Sequence, residues 1–175
     1  MEKDTSKLLI PTLEAFRNTD RLVIVTTGGT GTEELRSRYP DDNFIIEDFI
    51  PFSDVMPYAD GYITNGGYGG VMLGIQHELP MVVAGTHEGK NEITARVGYF
   101  NLGINLRTET PIPSQIRGSV EKVLHEATYV AHVKQLNREF SKYDPNQLCA
   151  SYITKILNRH SIFTPEFIYN WSIIL

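Results

Sequence analysis

The sequence predicts an α/β domain whose parallel sheet is covered by helices on both faces. Three observations predict it: short apolar runs bounded by turn residues, helical stretches between them, and glycine-rich turns where strand gives way to helix. The runs are Leu22 to Thr26, Phe44 to Ile46, Tyr62 to Thr64, Met81 to Ala84 and Gly103 to Leu106, each read as a buried strand.

The intervening helices are expected over Thr32 to Arg38, Ser53 to Tyr58, Gly70 to Glu78 and Asn91 to Tyr99. After Leu106 only helices follow. Ile116, Val120, Val123 and Leu124 recur at helical spacing within Pro113 to Glu126. Val133, Leu136 and Phe140 do so within Tyr129 to Tyr143, and Ile153, Ile156 and Leu157 within Gln147 to Leu157. Asp144-Pro145 suits an N-cap and first-turn pair for the last helix. One compact domain is expected over residues 1–157, and residues 158–175 form an apolar, aromatic tail unlike a solvated linker.

In an open α/β sheet, ligands sit outside the carboxyl ends of the strands, and three unusual loops fall there. Asn65-Gly66-Gly67-Tyr68-Gly69-Gly70 carries the strongest signal. Its glycines exceed what a turn requires, and each one inside a helix costs ~1 kcal/mol, so the run predicts backbone N–H groups cradling a phosphate. Thr27-Gly28-Gly29-Thr30-Gly31 also suits a plain tight turn, with Thr30 and Glu33 in capping-box register. The third loop gathers His87, Glu88, Lys90 and Asn91. A Lys can neutralise a phosphate while Glu, His and Asn bond hydroxyls, so this cluster can hold a sugar; alone, it reads equally as a solvated turn. Neither the dinucleotide G-x-G-x-x-G pattern nor the Walker pattern can be completed from these glycines.

Composition narrows the function classes. Sixteen Lys plus Arg against twenty-one Asp plus Glu give a net charge of -5 with no basic stripe, which argues against nucleic acid as a partner. The lone Cys149 cannot make an internal disulfide and reads as a small core residue. With no leader-like or membrane-length apolar span, a cytoplasmic location is expected. The glycosylation-like Asn170-Trp171-Ser172 is discarded as a chance match. No metal-ligand spacing joins the histidines and the cysteine, and no nucleophile elbow is present.

Taken in order, Phe49-Ile50-Pro51-Phe52, Met56-Pro57-Tyr58-Ala59-Asp60, Ile63-Thr64-Asn65-Gly66-Gly67-Tyr68-Gly69, Glu78-Leu79-Pro80-Met81-Val82-Val83 and the Lys90 to Val97 segment resemble the C-terminal half of UDP-glycosyltransferases of GT-B fold. The resemblance spans about residues 8 to 157. It implies a Rossmann-like domain binding a nucleotide sugar, a UDP- or dTDP-sugar being the expected donor, with no cofactor and no metal. By position, Phe49 would stack on the nucleobase, Gly28, Gly29 and Thr30 would approach the nucleotide, Asn65 to Gly70 would hold the diphosphate, and His87, Glu88, Lys90 and Asn91 would read the sugar. Several positions depart from the family pattern. Asn65 replaces the usual histidine, Leu73 a common glutamate, Gly70 a common Ser or Thr, and the Asp-Gln sugar-reading pair is missing.

In that family the N-terminal half binds the acceptor and supplies the catalytic base. The twenty or so residues before the first strand cannot form such a domain, so no catalytic residue is assigned here, and an acceptor-binding half is expected in cis or in trans. The leading expectation is the donor half of an inverting hexosyltransferase. The alternatives are a non-catalytic nucleotide-sugar binder and an interaction domain whose apolar tail docks a partner or a second copy.

Overall fold

The computed structural model describes residues 4–160, which divide into two compact units at Asn137 and Arg138. The tail from Ile162 to Leu175, and with it the expected docking or self-association, lies outside the described residues.

The first unit holds the five strands found among the described residues: β1 (Val23–Thr26), β2 (Phe44–Glu47), β3 (Tyr62–Thr64), β4 (Met81–Val83) and β5 (Gly103–Asn105). Its helices are α1 (Leu9–Phe16), α2 (Thr32–Arg38), α3 (Phe52–Val55), α4 (Tyr68–Gln76), α5 (Lys90–Tyr99), α6 (Pro113–His125) and most of α7 (Ala127–Phe140). All pairings are parallel, as continuous apolar runs require, but they form two sheets: β1 with β2, and β3-β4-β5. The sequence reading implied one sheet. Which parallel runs share a ladder depends on hydrogen-bond registry, and apolar pattern does not encode it.

Helices do cover both faces of the three-stranded sheet. Met81 and Val83 point to one side, into a cluster with Val71 and Ile75 of α4, Val97 of α5 and Val133 of α7. Val82 points to the other, against Val123 of α6 and Tyr129 of α7. None of the three β4 residues is more than 1% exposed, which places this strand at the centre and stabilises it by roughly 1.5–3 kcal/mol per side chain. The two-stranded sheet packs Val25 and Ile46 against Leu13, Leu35 and Tyr39 of the α1–α2 region. Ala15, Phe16 and Ile116 form a layer that touches Val23 and Phe44 of one sheet and Ile63 of the other.

Several boundaries differ from expectation for identifiable reasons. Helix α1 was not anticipated, because Pro11 interrupts a short run; Pro is tolerated in a first turn, and the helix buries Leu13, Ala15 and Phe16. The expected Ser53 to Tyr58 helix is α3 followed by a 3₁₀ turn over Met56–Tyr58, where Pro57 withholds an N–H. The Thr30–Glu33 capping box does not form: Gly31, left-handed at φ 72, is the N-cap of α2, and Glu33 pairs with Arg36 at 2.6 Å.

In the second unit, α8 (Pro145–His160) begins as the Asp-Pro pair predicts. Asp144 Oδ1 accepts from the N–H groups of Asn146 and Gln147 at 2.9 and 3.1 Å. Cys149 is exposed rather than a core residue, because Leu148, Tyr152, Ile153 and Ile156 around it are themselves exposed.

Candidate functional site

Each of the three loops leaves the carboxyl end of its strand. The first is ordered by a chain of hydroxyls. The Thr32 hydroxyl donates to the Asp48 carboxylate, so Thr27 must donate to Thr32, at 2.6 Å, while Thr27 accepts from the Gly29 N–H at 3.2 Å. Gly28 and Gly29 are left-handed at φ 70 and 83, and the Gly28 N–H donates to the Asp48 carbonyl at 2.9 Å. Phe49 follows directly, 67% exposed, with its ring edge 3.7 Å from where a Cβ on Gly29 would stand. The structure therefore brings Gly29 and Phe49 together, with Thr30 exposed beside them.

The second loop is shaped partly by packing. Gly66, at φ 73, has no room for a Cβ because Thr94 Cγ2 occupies the space, and Gly70 would meet the Thr64 hydroxyl at 3.0 Å. A side chain at Gly70, where a Ser or Thr was the expected pattern, would need the Thr64 hydroxyl to give way by a few tenths of an ångström. Gly67 and Gly69 are different: a Cβ on Gly67 meets only Asn65 Oδ1 at an ordinary 3.5 Å, and one on Gly69 meets nothing. Helix α4 starts at Tyr68, two residues earlier than read from sequence, so Gly69 and Gly70 lie in its first turn. The N–H groups of that turn have no intrahelical acceptor and sit at the positive end of the helix. Asn65 orders the turn through its side chain, Oδ1 accepting from the Gly67 N–H at 3.2 Å, while its Nδ2 remains a donor. Tyr68 is 67% exposed.

The third loop locks against the second. A Cβ on Gly85 would overlap the Asn65 carbonyl oxygen, and the buried Thr94 hydroxyl donates to the Gly85 carbonyl at 3.3 Å. Beyond Gly85 the chain turns through Glu88 at φ 57 and Gly89 at φ 78, closed by the Lys90 N–H on the His87 carbonyl at 3.0 Å. Lys90, its side chain 14% exposed, pairs with Glu88 at 3.3 Å and lines a small open cavity with Lys7, Asn65, Gly85 and Glu109. Asn91 is exposed at the start of α5. His87 turns to Glu109 instead, Nδ1 donating at 2.8 Å.

Glu109 and Lys7 were missed by sequence reasoning. Glu109 lies on the loop after β5, at the same end of its strand as the glycine loops, and that placement was the available signal. Its carboxyl is held down to about 2, first by the His87 ring donor, then by the His87 and Thr86 N–H groups, with Lys7 adding to them. Thr94, which wedges the two loops together, was also unread.

Among solved structures, the calicheamicin glycosyltransferase CalG4 superposes with a TM-score of 0.77 at 22% identity, over 86% of this chain and 38% of its own. The glycosyltransferase VinC, solved in complex with dTDP, gives 0.75 at 17% identity, over 86% and 38%. The fold is that of the C-terminal half of GT-B glycosyltransferases. Within that class the chain belongs to the erythromycin biosynthesis protein CIII-like C-terminal domain family, whose model matches residues 11–154. It is 36% identical over 151 residues to UDP-glycosyltransferase 2 of Phaeomoniella chlamydospora, a match covering 85% of this chain and 33% of that protein. The chain thus spans about a third of the length of the curated relatives it matches. Among the described residues no helix is long and apolar enough to cross a membrane.

Proposed function

We propose that this chain binds a UDP- or dTDP-sugar as the donor half of an inverting glycosyltransferase that transfers a hexosyl group to an acceptor hydroxyl. The observation that carries the reading is the head of α4. Gly67 and Gly69 lack a Cβ that packing would not forbid, beside first-turn N–H groups without intrahelical partners, and Asn65, which leads into that turn, lines one cavity with Lys90. That is an anion site held open for a ligand's close approach. A relative named as a UDP-glycosyltransferase and a neighbour solved with dTDP support the choice of anion.

In this reading Phe49 stacks on the base, Gly28 to Thr30 lie along the nucleotide, Asn65 to Gly70 receive the diphosphate, and Lys90 with Glu88 and Asn91 faces the sugar, His87 offering it only Nε2 because Nδ1 is bonded to Glu109. The acceptor oxygen attacks the anomeric carbon as the bond from that carbon to the diphosphate oxygen breaks, and the electron pair leaves on the nucleoside diphosphate. The backbone N–H groups and Lys90 stabilise that charge without a metal, and the acceptor's proton goes to a base on an acceptor-binding half, in cis or in trans.

Calorimetric titration with UDP-, dTDP- and GDP-sugars tests the reading. Binding without turnover, and turnover once an acceptor-binding half is supplied, is the expected result. Phe49→Ala then weakens nucleotide binding by about 1–3 kcal/mol, the size of one base–aromatic stack, and leaves the melting temperature unchanged. Binding that no acceptor half converts to turnover favours the non-catalytic binder, and no binding at millimolar nucleotide sinks both.

A further inference from the structure

We propose that Glu109 is a positioning residue that fixes the backbone of the Thr86 to Lys90 loop and thereby sets which donor sugar the site prefers. The inference rests on the donor-binding reading above. One carboxylate collects donors from two other segments. Oε1 accepts from the Thr86 N–H at 3.2 Å, the His87 N–H at 3.0 Å and His87 Nδ1 at 2.8 Å, and Oε2 accepts from Lys7 Nζ at 3.3 Å. Charge-assisted bonds of this kind are about twice as strong as neutral ones, and two of the four go to main-chain amides, so they fix backbone as well as side chains.

The loop needs such an anchor. Apolar packing supplies little of its shape: His87 is 75% exposed and Glu88 80% exposed in their side chains, and Glu88 holds a left-handed conformation that L residues disfavour. A segment with so few buried contacts opens readily unless hydrogen bonds close it. What it carries is the sugar-facing set. Lys90 closes the turn through its N–H, is held by Glu88 through its ammonium, and lines the same cavity as Glu109 and Asn65. Discrimination among sugar hydroxyls requires donors and acceptors held within about 0.5 Å, so an anchor that sets the loop sets the preference without touching the sugar.

The test uses the full chain as wild type, Glu109→Ala and Glu109→Gln. By hydrogen exchange without ligand, Glu109→Ala speeds exchange at the Thr86 and His87 amides about tenfold and leaves Val82 and Val83 unchanged. By calorimetry, UDP affinity is retained, while the affinity of UDP-glucose relative to UDP, and to UDP-galactose, shifts about tenfold in Glu109→Ala. Glu109→Gln falls between, since its carbonyl oxygen still accepts from the two amides but has no charge for His87 and Lys7; it carries the test if the alanine variant does not fold. Unchanged ratios in variants that still bind UDP overturn the role of Glu109 alone. A wild-type chain that binds neither UDP nor either sugar overturns the donor reading and this inference with it.

Discussion

Cγ2 of Thr94 fills the space that a Cβ on Gly66 would need, so one buried methyl on α5 dictates glycine in the turn after β3. Gly66→Ala forces that overlap and places an L residue at φ 73. We expect it to destabilise the domain by about 2–4 kcal/mol in urea unfolding. Thr94→Ser removes Cγ2 while keeping the hydroxyl on the Gly85 carbonyl, at a cost of about 1 kcal/mol. In the double variant the steric share is relieved and only the backbone strain persists, so the two changes couple favourably. Strict additivity would show that Thr94 is not what excludes the side chain.

The hydroxyl relay under the first glycine loop makes a second prediction. Thr32→Val keeps the shape but leaves the buried Thr27 hydroxyl without its acceptor, which costs about 1–3 kcal/mol in the same assay. Asp48→Asn changes stability far less, because an amide oxygen still accepts from Thr32. Equal losses in the two variants would mean that the charge of Asp48, and not the order of donors, holds the loop.

Neither the Thr94–Gly66 contact nor the hydroxyl relay is legible in the sequence, although much of the sheet is. Met81-Val82-Val83 is a strand buried on both faces and reads as an uninterrupted apolar run, so β4 and its neighbours were visible. Helix α1 was hidden by Pro11, and the division into two sheets was hidden because registry is not a property of any one strand. The glycine run after β3 was read as a single signal, but it has two causes: Gly66 and Gly70 answer to Thr94 and Thr64, residues distant from them or facing them only after folding, while Gly67 and Gly69 do not. Glu109, a lone acid between two threonines, joins the site only through the fold, since its partners at Thr86 and His87 lie more than twenty residues earlier.

Those partners give Glu109 a pH signature. Its carboxyl is lowered from an ordinary 4.5 to about 2, chiefly by the His87 ring donor and then by the His87 and Thr86 amides, with the Lys7 ammonium also facing it. A lowered folded-state value means that the stabilisation is complete above about 4.5 and is lost as pH falls through about 2. The gap in urea midpoint between wild type and Glu109→Gln should therefore hold at mildly acidic pH and close over that window. A gap that is the same at about pH 3 as at about pH 7 would show that the ionised carboxylate is not the acceptor.

The head of α4 separates a folding role from a binding role most sharply. A Cβ on Gly69 meets no atom of the protein, and the position is helical, so Gly69→Ala should leave stability unchanged or raise it by up to about 1 kcal/mol. If a diphosphate approaches the first-turn N–H groups there, the added methyl stands in its path, and UDP affinity should fall by about tenfold or more. Gly70→Ala is the control, because its Cβ presses on the Thr64 hydroxyl at 3.0 Å and should lower stability instead. Calorimetry and thermal melting on the two variants thus give opposite patterns. A Gly69→Ala protein that melts like the wild type and binds UDP equally well would leave the bare glycine with no purpose in ligand binding, and the diphosphate would have to be placed elsewhere.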